Sequence, residues 1–149
     1  MANACRISIA AAIAMANALV DLIDGGSGAG TLVMYTGTAP AYADSSGAGL
    51  TEVATLTFGD PAYAGAAADA VNHWADANLT GGTTISDTSA TGNTSAVTCF
   101  RVFDSNAAVV LQGTIGTSGA DINLNATTIG AGAQVDLTAL EARVPYNAA

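Results

Sequence analysis

His73 and Trp74 stand side by side, and each is the single residue of its kind in the 149-residue chain. A lone histidine could act as a general base or bind a metal, but zinc would need Cys5, Cys99 or acids to converge on it. No C-x-x-C or H-x-x-x-H spacing is present to arrange that. His73 is therefore read as a structural or surface residue, and Trp74 as a core or interface anchor that supplies area where most side chains are small. A hydrolytic triad would need a serine beside His73, yet the sequence has no G-x-S-x-G elbow. Glycosidase chemistry needs two opposed carboxylates, and among twelve Asp and Glu chance pairs are inevitable. Asp60, Asp87, Asp104 and Asp121 all fall at expected turns, where a carboxylate accepts from nearby backbone amides.

Other candidate motifs also reduce to structure. Acid-rich turns suit calcium, but no D-x-D-x-D-G loop ending in Glu occurs. Gly25 to Gly30 reads GGSGAG, yet it follows a helix and precedes a strand, the reverse of a dinucleotide fingerprint, and it lacks the lysine of a P-loop. It is expected to act as a hinge between helix and sheet. Asn78, Asn93 and Asn125 head N-x-S/T triplets, which matter only in a glycosylating pathway. Cys5 and Cys99 read as small buried apolar residues, with a bridge between them left open. No catalytic residue, cofactor or metal is expected.

Charge excludes whole classes of partner. Twelve acids oppose Arg6, Arg101 and Arg143, with no lysine, giving a net charge of −9. Nucleic acid and anionic lipid would be repelled, because binding phosphate needs clustered cations. Half the residues are hydrophobic and only 10% are charged, a combination unlike that of disordered chains. A 14.5 kDa chain would remove roughly 14,000 Å² from water on folding, enough for one core without staples. The 17 glycines and abundant Thr, Ser, Asn and Asp point to short strands and many turns.

One helix is expected, over residues 6–23. Ile9, Ile13, Ala16, Val20 and Ile23 recur at helical spacing, and Met15, Leu19 and Leu22 widen the stripe on one side. Gly25 and Gly26 end it. Asp21 and Asp24 lie near its C-terminus, where the helix dipole disfavours acids, so a contact outside the helix must offset them. Arg6, the apolar run and Ala14-Met15-Ala16 also mimic a signal peptide, but we expect a retained helix that covers a sheet or joins copies. The run is shorter than the ~20 residues of a membrane span.

Strands are expected at Thr31–Thr36, Glu52–Phe58, Ala70–Ala77, weakly at Thr83–Ile85, and at Asp121–Asn125, with a short segment at Thr127–Ile129 and a last strand over Gln134–Val144. In that last strand the apolar parity switches between Leu137 and Leu140, which a bulge near Ala139 would repair. Gly37 to Gly49 is a loop, and Gly59-Asp60-Pro61 a sharp turn. Ser95 to Gly116 reads as a central hairpin turning at Ser105-Asn106. That register pairs Val102 with Val109, Phe100 with Leu111 and Ala96 with Ile115 on an inward face. Arg101 with Val110, Cys99 with Gln112 and Val97 with Thr114 form the outward face. The fold class is mainly β: an antiparallel β-sandwich or jelly-roll-like barrel with one N-terminal α-helix. Residues 1–26 would be a helix arm and 27–149 a single β domain.

The runs LIDGGSGAGTLVMYTGTAPA (Leu22 to Ala41), ATLTFGDPAYAGAA (Ala54 to Ala67) and FRVFDSNAAVVLQGTIGTSGADINLNATTIGAGAQVDL (Phe100 to Leu137) follow an order of turns and strands that resembles a family of small structural proteins of tailed bacteriophages. The resemblance covers most of the chain and carries no catalytic motif. It implies a virion location and a capsid- or tail-associated β protein. The expectation is a cement or decoration protein that bridges neighbouring copies of the major capsid protein, or other virion proteins, and forms a homo-oligomer. A tail or head-to-tail connector component is the alternative in the same particle. A carbohydrate-binding adhesin-like module is the alternative from another class, disfavoured by the scarcity of aromatics for sugar stacking. The residues expected at the partner interface are Ile9, Ile13, Met15, Leu19, Val20, Leu22 and Ile23. Nucleic acid and membrane are not expected as partners.

Overall fold

The computed structural model describes residues 6–146. Helix α1 (Ile9–Asp21) is shorter than the periodicity suggests because Ser8 caps it, its Oγ accepting from the Ala11 amide at 3.1 Å. A side-chain acceptor there satisfies one of the free amides of the first turn. Among the described residues ten strands follow: β1 (Thr31–Thr36), β2 (Thr51–Thr57), β3 (Ala67–Asp69), β4 (Trp74–Asn78), β5 (Ile85–Asp87), β6 (Val97–Phe103), β7 (Val109–Gly116), β8 (Ile122–Asn123), β9 (Val135–Leu137) and β10 (Glu141–Pro145). The fold is mainly β, as the turn-rich composition implies, with antiparallel sheets, one of them curled into a half-barrel.

Five strands form the main sheet in the order β2-β1-β6-β7-β8, antiparallel throughout except for the parallel β7–β8 pair. A three-stranded sheet runs β10-β4-β3, and β5 pairs with β9. The core lies on the concave side of the main sheet, where Leu32, Met34, Val53, Leu56, Phe100 and Val102 meet Ala77, Leu79, Ile85, Val135 and Leu137 of the smaller sheets. Helix α1 docks on the three-stranded sheet through a second cluster, Ala12, Ala16 and Ala75, with Ile7, Ile13, Ala66 and Val144 around it. Alanines at the contact let helix and sheet approach closely. Val20 and Ile23 continue into the main core, so α1 is docked, and it shares its core with the sheets.

The central hairpin forms, with its register two residues from the expected one. Val102 pairs with Leu111, Phe100 with Gly113, Arg101 with Gln112 and Cys99 with Thr114. The Asp104 carboxylate sets this, accepting from the Asn106 and Ala108 amides at 2.9 and 2.8 Å. It closes a loop wider than two residues, in which Ala107 takes a left-handed φ of 63°. A shift of two preserves which face each residue occupies, so Phe100, Val102 and Ile115 are still buried together. At the far end an irregularity between Tyr35 and Thr36 leaves Thr98 without a partner on β1. Val97 is thereby turned into the core, and Ala96 is exposed, the reverse of the expected order.

Four other expectations change. Ala70–Ala77 is broken by a turn that joins β3 to β4, because Asp69 Oδ1 accepts from the Val71 and Asn72 amides and His73 adopts φ 61°. Gln134–Val144 is two strands rather than one bulged strand. Leu137 faces β5 and Leu140 packs beyond it as the chain crosses to pair β10 with β4, which explains the parity switch. Residues Gly25 to Gly30 form a pinned crossing in place of a hinge. The Ser105 hydroxyl donates to Gly25 O and accepts from the Ser27 amide, and a Cβ on Gly30 would lie 2.6 Å from Phe103 O. Thr127–Ile129 is not a strand, though Val97 N donates to Thr127 O at 2.9 Å.

Candidate functional site

The residues expected at the partner interface divide between two faces of α1. Val20 and Ile23 are buried in the main core, and Ile13 packs on the alanine cluster. All three hold the helix in place; Val20 and Ile23 leave no surface for a partner, while Ile13 is half-buried. Leu19 is half-buried. Met15, Leu22 and Ile9 are 54, 60 and 48% exposed, three of the five large hydrophobic side chains left open to solvent among the described residues, Tyr42 and Val71 being the others. Asn17 is the polar residue of the docked side, and its Oδ1 accepts from the Ala66 amide at 2.7 Å. Asp24 Oδ1 similarly accepts from Ala62 N at 2.7 Å, which supplies the contact outside the helix that its position calls for. Asp21 is exposed and no basic residue occupies the last turn.

Sequence reasoning missed Arg101. It is 6% exposed and is the buried charged residue among those described. Its guanidinium donates to Ser45 O at 2.8 Å and to Ala43 O, and lies 5.7 Å from the Phe103 ring centroid. Its cross-strand neighbour Gln112 donates to Pro40 O at 2.7 Å. Together they strap residues 38–49 across the outer face of the hairpin, and Cys99 is buried beside them, with no disulfide partner among the described residues. Burial pushes the Cys99 thiol upward, and burial followed by the charge of Glu52 does the same to the Tyr35 phenol. The signal available in sequence was the loop itself: a long segment whose apolar residues are mostly alanine stays on a sheet only if something donates to its carbonyls. The Cys5–Cys99 bridge left open above falls partly outside the described residues, since Cys5 precedes them.

The remaining chemistry-bearing residues are tied into the framework. His73 is exposed at the β3–β4 turn, with its ring edge-on to Tyr146 at 6.2 Å. Arg143 stacks 4.3 Å from the centroid of Trp74 and pairs with Asp76 at 3.2 Å and with Glu141. Asp87 Oδ2 accepts from Thr55 N at 2.8 Å and Oδ1 from Ser89 N at 2.9 Å, closing the edge of β2. Asp121 accepts from the amide and hydroxyl of Thr114, both at 2.8 Å. These bonds from Thr114 hold Asp121 below the usual carboxylate range; the amide of Asn72 does so for Asp69, and the hydroxyl of Ser86 for Asp136. Each shift favours the charged acceptor, the opposite of what a general acid at neutral pH requires.

Two clefts gather polar groups. One, of about 460 Å³, is lined by Thr36, Thr51, Thr91, Asn93 and Ser95. The Asn93 side chain there is committed, donating to Ser95 O and Thr127 O and accepting from Ile129 N. The other holds Asp121 and Asp136 beside Asn123 and Asn125, and both carboxylates are already bonded to Thr114, Ser86 and Gln134. Among the described residues no group of three or more His, Cys, Asp or Glu is placed to hold a metal ion, and no helix is long and apolar enough to cross a membrane. Comparison with protein-family models, with curated proteins and with solved structures finds no match.

Proposed function

We propose that the chain is a non-enzymatic structural protein of a tailed-phage virion, acting as a cement or decoration protein on the head. The observation that carries this reading is the apolar outer side of α1, with Met15 and Leu22 more than half exposed on a helix whose opposite side is fixed in the core. Such a surface contributes by association, since apolar area removed from water stabilises contact at about 25 cal/mol per Å². Asp24, Asp69, Asp87, Asp104, Asp121 and Asp136 are used as framework acceptors, in keeping with a role in binding. The order of strands and turns that resembles small phage structural proteins adds the particle. A protein that binds only the assembled shell stabilises it by mass action.

The test is cryo-electron microscopy of virions from a phage that encodes this chain. The expected result is many copies on the outer shell at symmetry positions, touching the major capsid protein. Rings of the protein along the tail would replace the head assignment with the tail component, and absence from the virion would overturn the proposal.

A further inference from the structure

The outer side of α1 has a pattern of its own. Ala11, Met15, Ala18 and Leu22 are spaced four, three and four residues apart, the seam of a two-helix contact. Met15, Ala18 and Leu22 are exposed and Ala11 half-exposed, and the seam lies roughly opposite Ala12, Ala16 and Val20, which are buried. Along it small and large side chains alternate. When a second α1 is laid antiparallel across a two-fold axis, Ala11 faces Leu22 of the other copy and Met15 faces Ala18. Each large side chain then meets an alanine, four times over, and two helices can approach to about 8 Å, the close end of helix packing distances.

Charge selects the same occupant and direction. Helix α1 has no acid in its first turn and no base in its last, so neither end of its dipole is complemented from within the helix. The antiparallel register brings Asp21 of one copy level with Ala12 of the other, beside the positive end of that dipole. It also brings the exposed Arg6 toward the end of the neighbouring helix that carries Asp21 and Asp24. Asp21 is the single charged residue within α1, so the net charge of −9 is carried almost wholly away from the seam. From this self-complementarity of size, charge and dipole, we infer that the outer side of α1 docks on the same side of a second copy, forming an antiparallel two-fold dimer. The inference rests on the reading of this helix side as a contact surface and names its partner.

The test is sedimentation of the purified full chain at about 100 µM, well above a micromolar Kd. A dimer is expected. Leu22→Asp and Ala18→Gln, both at exposed positions, should weaken it by about 30-fold or more, as truncation of a central contact does, with an unchanged circular-dichroism spectrum. In a Cys5→Ala background, Met15→Cys/Ala18→Cys should form an intermolecular disulfide under mild oxidation. A wild-type monomer at this concentration, or a dimer indifferent to both substitutions, would overturn the inference. A dimer that responds as expected in a protein absent from virions would overturn the virion assignment and leave the dimer standing.

Discussion

Arg101 shows how one buried charge can organise a loop without an acidic partner. Its donors satisfy the carbonyls of Ala43 and Ser45, and a buried acceptor left unpaired costs about 1–3 kcal/mol. Its guanidinium also lies over the Phe103 ring. Replacing Arg101 with Ala should lower unfolding stability by about 2–4 kcal/mol, read from urea denaturation. Arg101→Lys should fall between the two, because an ammonium keeps the charge but loses the planar guanidinium that reaches both carbonyls through Nη2 and lies over Phe103. The loop should also come loose locally. Tyr42, at 74% exposed, becomes a faster chymotrypsin site in Arg101→Ala than in the wild type under native conditions. Equal cleavage rates would mean that the loop is held by something other than the strap. The residue type was visible in the sequence, but its burial was not, because β6 reads as a half-buried strand until the loop that covers its outer face is placed.

Among the elements, those governed by periodicity alone were legible. The helix and the β1 strand follow from spacing, and the central hairpin follows from two apolar runs around a polar turn. Details failed where a side chain bonded to backbone. Asp104 widened the hairpin loop and shifted its register, Asp69 turned the first residues of the expected Ala70–Ala77 strand into the turn that precedes β4, and the crossing between sheets at Thr138 to Leu140 looked like a bulge. Asp121 is a further case, since its carboxylate closes the edge of β7 next to the short β8 pair. Its folded-state pKa is lowered by those bonds, so the stability it contributes is full above the unfolded carboxylate range near 3.9. That contribution is lost as pH falls through the lower folded value. Asp121→Asn should therefore have a lower urea midpoint than the wild type at neutral pH, with a gap that narrows only as pH falls below the unfolded carboxylate value of about 3.9 and closes once the pH is below the lowered folded value. A gap independent of pH would show that the carboxylate charge is not what holds the β7–β8 edge.

At the scale of the whole molecule, the candidate site was half legible. Seven apolar helix residues could be named from spacing, yet spacing could not tell the side that faces the sheets from the side that faces out, because α1 is apolar almost all round. Such a helix is expected to be covered on every side, and within one chain it is covered on one. The two sides therefore make separable contributions. Ile23, fully buried, belongs to the fold. Ile23→Ala should cost about 2–5 kcal/mol through lost burial and the cavity left behind, lowering Tm by roughly 5–15 °C in a chain of this size. Leu22 is its neighbour in sequence and lies on the open side, so Leu22→Asp should leave the monomer's unfolding midpoint within about 0.5 kcal/mol of the wild type while weakening association by about 30-fold or more. The comparison is made by denaturation at dilutions where the wild type is monomeric, and by sedimentation at high concentration. If Leu22→Asp unfolded the monomer as Ile23→Ala does, the two sides of the helix would share one structural role, and the outer side would lose its claim to be a contact surface. If Ile23→Ala destabilises the fold but still associates at temperatures where it is folded, the division holds: the inner side of α1 specifies the domain, and the outer side specifies what the domain joins.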